Sequence, residues 1–368
     1  MISFNLILPE LNEFITDLGG ANKKGLIITL FTISAALSRP FSGKLSDTIG
    51  RKKVMLIGVV FAVIITLIYP LSSIVSIFLL LRFMHGFSAG FLPTAATAMV
   101  TDILPKNKRG VGMGIWGVFI SIGIGAGQFL GSIVRTEFGM TYLFIISALF
   151  SVLCGFMILM IKETLPDPEN FKWSLLKIKW VDVFEPNVMP AAIVMFFMAT
   201  SSGIVFVITQ DISVFLGIEN KGWFFGFYML STIIVRVFTA SLSDKIGRRK
   251  TLVIGLFLMA ISMAMVILTR EWIMYTAASI VFGMATGISS PTLFAWTADL
   301  SHHKRRGIGA STLFIALELG IMFGATSTLL TYNNEINSLP YVFGVGVLFA
   351  LFATAYLFWH LRNRESQT

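Results

Sequence analysis

Apolar residues run in long stretches separated by short polar clusters, at 26–43, 54–72, 75–99, 111–134, 140–161, 188–210, 223–241, 251–269, 272–298, 308–331 and 340–360. A helix needs about 20 apolar residues to cross a hydrocarbon core ~30 Å thick. Backbone in lipid must also satisfy its own hydrogen bonds. The pattern therefore predicts eleven membrane-spanning helices. The strict alternation of ~10-residue barrel strands is not seen. Residues 1–8 are apolar but too few to cross, and no basic segment precedes them as in a signal peptide.

Composition supports this reading. Of 368 residues, 55% are hydrophobic and 13% charged, about half the usual ~25% charge of a soluble domain. A disordered chain, a collagen and an ordinary soluble enzyme are excluded. The single cysteine, Cys154, excludes an intrachain disulfide framework and a cysteine-based zinc site. The net charge of +9 is a topology signal. Twenty Lys and Arg fall in alternate loops and the C-terminus, five in the opposite loops, and Arg39, Arg82 and Arg236 lie within runs. The positive-inside rule places the twenty in the cytoplasm, with the C-terminus and the segment 162–187. Dispersal over short loops argues against nucleic acid.

A repeat organises the chain. GKLSDTIGRKK at 43–53 returns as ASLSDKIGRRK at 240–250, an offset of 197. The same shift pairs Arg39 with Arg236, Gly86 with Gly283, Gly90 with Gly287, Asp102 with Asp299, Arg109 with Arg306 and Gly110 with Gly307. Two homologous halves in the same orientation follow, 1–161 and 188–368, joined by a cytoplasmic linker, 162–187. Parallel halves require an even number of crossings each, yet the first shows five runs and the second six. The offset sets residue 1 opposite Met198, so the first helix is expected to lack about ten residues relative to its counterpart. A genuinely short first helix is the alternative.

The loop from Gly43 to Leu56 resembles the signature loop of the major facilitator superfamily, G-x-L-x-D-x-x-G-R-K/R, and matches every fixed position; the second copy departs only at Ala240. The resemblance covers essentially the whole chain. It implies an all-α membrane protein with two pseudo-symmetric six-helix bundles, here eleven full transmembrane helices and a partial one. It implies a secondary transporter whose halves rock about a central site. In that reading Gly43, Asp47, Gly50, Arg51 and Lys52, with Asp244, Gly247 and Arg248, form a conformational latch. Asp47 would cap the helix starting near Gly307, and Asp244 the one starting near Gly110. Solvated topology anchors are the plainer reading of these charges.

Inside the runs, Arg82 and His85 share a helix face, and the segment resembles the family's R-x-x-Q-G motif with His85 in place of Gln. The second half has Ser279 and Phe282 there. An arginine at mid-membrane costs about 2.5–3.5 kcal/mol on insertion scales, so Arg82 should face protein or water. Proton-coupled relatives implicate this arginine in proton transfer. Glu318, ten residues into its run, is a candidate proton or cation site. Gly123, Gly127 and Gly131 recur at four-residue spacing, which allows close helix contact. This region resembles the antiporter motif G-x-x-x-G-P-x-x-G-G, with Gln128 replacing Pro and Ser132 the last Gly. Gln128 is a candidate lining residue; Asn5, Gln210, Asp211, Trp116 and Trp296 are weaker ones. No Walker A loop or H-E-x-x-H occurs, so neither ATP, a metal nor another cofactor is expected. The expected protein is a monomer in a bacterial cytoplasmic (inner) membrane. It would move a small-molecule substrate, with proton-coupled efflux expected. A proton symporter or facilitator importing a nutrient is the runner-up, and a non-transporting sensor or inactive remnant the reading from another class.

Overall fold

The computed structural model describes residues 1–20, 23–218, 223–239, 241–333 and 335–365, and its regular structure is helical throughout. The helices are α1 (Ile2–Ile7), α2 (Leu11–Asp17), α3 (Lys24–Thr48), α4 (Arg51–Ile68), α5 (Val75–Ile103), α6 (Arg109–Phe138), α7 (Met140–Met160), α8 (Trp180–Val183), α9 (Met189–Phe215), α10 (Trp223–Thr239), α11 (Leu242–Ile246), α12 (Arg248–Ile267), α13 (Trp272–Leu300), α14 (Arg306–Thr331) and α15 (Leu339–Glu365). Among the described residues, nine helices are long and apolar enough to cross a membrane. The runs at 111–134 and 223–241 fall in α6 and in the 17-residue α10. The protein is a multi-pass, all-α membrane protein.

The start of the chain is more helical than hydropathy predicts. A turn of 3-10 helix, Leu8–Glu10, joins α1 to α2. Pro9 stands in the first positions of that turn, where a missing N–H is tolerated. Polar residues at 10, 12, 13 and 16–17 keep mean hydropathy low. The fully buried Ile7, Leu11 and Ile15 nevertheless recur every four residues and seat the segment in the core.

The chain divides into two compact units. Unit 1 comprises Met1–Ile103, Ile122–Asn187 and Ser301–Ile315; unit 2 comprises Leu104–Ser121, Val188–Leu300 and Ala316–Thr368. Unit 1 holds two apolar clusters. One joins Leu6, Ile7, Leu11, Ile15, Ile65, Tyr69, Phe78 and Phe144. The other joins Leu45, Ile49, Val54, Met55, Phe91 and Met99, with linker residues Leu175 and Leu176 packed on it. In unit 2 the rings of Phe224, Tyr275 and Phe282 are in contact and fully buried.

The repeat fixes one backbone feature twice. α4 and α12 each start after a glycine of positive φ, Gly50 at +114° and Gly247 at +92°. With ψ near 151° both lie in a region that essentially only glycine adopts. The turn brings the following arginine back over the aspartate four residues earlier.

Candidate functional site

In unit 1, the carboxylate of Asp47 sits at the N-terminus of α14. Its Oδ1 accepts from the backbone N–H of Gly307 at 2.7 Å and its Oδ2 from that of Ile308 at 2.9 Å. A helix start offers unsatisfied N–H groups and a positive dipole end, and an ionised acceptor answers both. Gly43 permits the approach: a Cβ there would lie 2.8 Å from the Cβ of Ser311. Arg51 donates to Asp47 at 2.7 Å and, through Nε, to Asp102 at 3.1 Å. Arg306 closes the circuit on the other oxygen of Asp102 at 2.7 Å.

Unit 2 repeats this arrangement residue for residue. Asp244 accepts from Gly110 and Val111, each at 3.0 Å. Arg248 bonds Asp244 and, through Nε, Asp299 at 2.9 Å; Arg109 bonds Asp299 at 2.8 Å. The repeat pairs Asp102 with Asp299 and Arg109 with Arg306, but these four lie outside the signature loop; their shared offset is the signal the sequence carries for them.

The linker adds further partners in unit 1. Glu163 accepts the N–H groups of Arg51 and Lys52, each at 3.0 Å, and so caps α4. Lys52 itself reaches the Leu159 carbonyl at 2.7 Å. The Thr164 hydroxyl donates to Asp102 at 2.7 Å. Further along, Asp182 pairs with Lys44 at 2.7 Å and Glu185 with Arg305 at 3.1 Å. Burial by itself raises the Asp182 carboxyl. The Lys44 hydrogen bond, the Lys179 backbone N–H and the charges of both lysines outweigh it, and the carboxyl sits below its ordinary range.

Within the membrane-spanning part of unit 1, Arg82 is fully buried and His85 nearly so. Sequence placed them together; the structure adds Tyr69. The Tyr69 hydroxyl lies 3.4 Å from Nη1 of Arg82 and 3.0 Å from Nδ1 of His85. A guanidinium only donates, so the phenol oxygen accepts from Arg82, while between Tyr69 and His85 either group donates according to the imidazole tautomer. Arg82 also donates through Nε to the Ile27 carbonyl at 3.4 Å and lies over the Phe31 ring at 4.6 Å. Among the described residues, its buried Nη2 has no hydrogen-bond partner. Tyr69 carried no sequence signal beyond sitting at the end of an apolar run.

Two other arginines are buried at equivalent repeat positions. Arg39 bonds the Thr94 hydroxyl at 2.8 Å and stacks over Phe314 at 4.2 Å. Arg236 bonds the Gly117 carbonyl and the Ser121 hydroxyl, the latter at 2.7 Å. At the offset of 197, Phe314 and Gly117 are themselves counterparts.

The remaining candidates are dispersed. Glu318 is half-buried on α14, within unit 2. Asn5 is buried and its amide donates to the Met1 carbonyl at 3.0 Å. Asp211 accepts from the Tyr332 hydroxyl at 2.8 Å; burial and then this carboxylate push the phenol above its ordinary value. Trp116 is half-buried, and Trp296 is buried beneath the Arg249 guanidinium at 5.9 Å. The side chains of Gln128 and Gln210 lie outside the described residues. Among the described residues no cluster suited to a metal ion occurs.

The family model described as Major Facilitator Superfamily matches residues 1–220 and 191–368. An uncharacterized MFS-type transporter of Methanocaldococcus jannaschii is 24% identical over 345 residues, covering 89% of this chain and 86% of the relative. The multi-drug resistance efflux pump PmrA of Streptococcus pneumoniae is 27% identical over 318 residues, covering 81% and 78%. Among solved structures, the proton:xylose symporter XylE superposes with a TM-score of 0.75 at 16% identity, covering 95% of this chain and 92% of that one.

Proposed function

The chain belongs to the major facilitator superfamily and is a secondary transporter, and on that premise we propose that it exports a small, largely apolar solute in exchange for protons. The observation that carries this reading is the buried chain Arg82–Tyr69–His85. It has no copy in the other half, where Val266, Ser279 and Phe282 stand. A symmetric scaffold would need such a chain in both halves or in neither. A proton taken up at His85 would set a second cation beside Arg82, and that repulsion would give the proton leverage over the packing of α5. Glu318 supplies a carboxylate for a proton or a cationic solute. The capped aspartates Asp47 and Asp244 act as latches that hold one conformational state until transport breaks them. Similarity to the efflux pump PmrA supports the direction. The charge bias supports a place in the cytoplasmic membrane with linker and C-terminus inside.

Proton symport is the second reading. It draws on the absence of proline at Gln128 in the antiporter-like segment and on the fold shared with a proton:xylose symporter. Purified protein in proteoliposomes, with a pH gradient imposed in either sense, separates the two. Export by exchange requires solute to move against the proton flow, and symport requires it to move with the flow. In the same vesicles Glu318→Gln should abolish gradient-driven movement and spare facilitated exchange; wild-type behaviour removes Glu318 from the coupling.

A further inference from the structure

In unit 2, beside the Asp244 latch, α11, α12 and α15 frame a groove of about 610 Å³ lined by Lys245, Ile246, Lys250, Val253, Ile254 and Phe358. Both lysines are exposed at its polar end. Its floor is apolar, with Ile254 at 42% and Phe358 at 57% exposure. The corresponding surface of unit 1 is built from Thr48, Ile49, Lys53, Leu56 and Ile57, and there the protein covers it with its own linker. Glu163 brings a carboxylate to the start of α4, and the Glu169 N–H bonds the Thr48 carbonyl at 2.8 Å. Leu175 and Leu176 pack on the cluster that Leu56 and Ile57 also join. The consequence shows in one pair of residues: Ile49 is 3% exposed, whereas Ile246, its repeat counterpart, is 39% exposed. Likewise Gly50 lies against Glu163, whereas a Cβ on Gly247 would meet nothing within 4 Å among the described residues.

The linker thus lays an anionic group and two adjacent leucines on the first copy of this surface. The second copy presents two ammonium groups above an apolar trough at the end of membrane-spanning helices. We propose that this groove binds an anionic phospholipid of the cytoplasmic leaflet, its phosphate between Lys245 and Lys250 and an acyl chain along Val253, Ile254 and Phe358. Basic pockets between helices at the cytoplasmic surface recognise such headgroups, because lysines complement the phosphate while the chain keeps the apolar wall out of water. The lipid takes in unit 2 the place that the linker takes in unit 1. The placement of this end in the cytoplasm rests on the distribution of Lys and Arg.

Purified full-length protein in neutral detergent is titrated with phosphatidylglycerol or phosphatidylcholine, and retained lipid is counted by native mass spectrometry. Wild type should hold phosphatidylglycerol about tenfold more tightly than phosphatidylcholine. The double variant Lys245→Gln/Lys250→Gln should lose that preference. Lys106→Gln/Lys108→Gln, which removes the same charge from another basic loop, should keep it. Glycerol phosphate at equal concentration should not compete. A wild type without preference, a double variant that retains it, a control that loses it equally, or full competition by glycerol phosphate overturns the assignment.

Discussion

At the Asp47 end of unit 1 and the Asp244 end of unit 2 the same residue types meet in the same order: aspartate on two helix N–H groups, arginine on the aspartate, a second aspartate between two arginines. Within the membrane the halves part company, with Arg82 and His85 standing opposite Ser279 and Phe282. The contrast has a physical basis. The capped turn asks only for Gly and Asp at fixed spacing and uses backbone groups that every helix start provides, so duplication preserves it. The buried guanidinium of Arg82 carries an insertion cost and, among the described residues, its Nη2 has no hydrogen-bond partner; unlike Arg39 and Arg236 it has no arginine counterpart at the repeat offset. Even the conserved end is unequal. Arg51 and Asp47 expose 1% and 5% of their side chains, against 13% and 12% for Arg248 and Asp244, and among the described residues the first copy alone carries additional partners of this kind, Glu163 and Thr164.

The interior difference predicts the largest effect. Arg82→Gln should lower gradient-driven transport about a hundredfold, the scale on which proton-transfer groups act. Ser279→Ala, at the counterpart position, should leave it near wild type. Arg82→Lys retains the charge but not the planar fork that serves Tyr69 and Ile27 together, and should fall between. Transport rates in proteoliposomes, normalised to inserted protein, decide the matter. Equal losses at positions 82 and 279 would break the comparison.

The latch role proposed for the two capped aspartates predicts a smaller, graded difference. Asp47→Asn removes an ionised acceptor from two N–H groups and from Arg51. Charge-assisted bonds contribute about 1.5–3 kcal/mol, so a loss of about 2 kcal/mol shifts the equilibrium between transport states roughly thirtyfold. Asp244→Asn acts in a more solvated site and should shift it about fivefold, near 1 kcal/mol. Both variants should insert normally and transport slowly, with Asp47→Asn the slower. The reverse order would show that burial does not set latch strength.

Most of the fold was legible because bilayer thickness and repeat offset are one-dimensional properties. The long helices follow the runs, and the capped turn follows the 197 shift, since Gly43, Asp47, Gly50 and Arg51 are local in sequence. What stayed hidden depends on distance through space. Tyr69 meets Arg82 only because the turn after α4 folds back on α5. Glu163 reads as one more charge in a polar linker until its carboxylate is seen on the N–H groups of α4. The α1–α2 segment was hidden for another reason: its apolar residues form a narrow stripe at 7, 11 and 15, which averaging over a window dilutes.

The smallest effect concerns the linker, which has no counterpart beside Asp244. Lys44 pairs with Asp182 across a half-buried contact at 2.7 Å, and position 241, its repeat equivalent, is serine. The Asp182 carboxyl is held below its ordinary range, so its pairing contributes stability above the unfolded value of about 4 and loses it as pH falls through the lower folded value. A partly solvated pair is worth about 0.5 kcal/mol. Asp182→Asn should therefore lower the thermal midpoint of the detergent-solubilised protein by about 1 °C at pH 7. That gap should narrow steadily as the buffer is taken below pH ~4, while Ser241→Ala, made as the mirror change, should show no pH-dependent gap. A difference between Asp182→Asn and wild type that stays constant into strong acid would mean that the linker is held by its leucines and by Glu163, with the Lys44 pair contributing nothing.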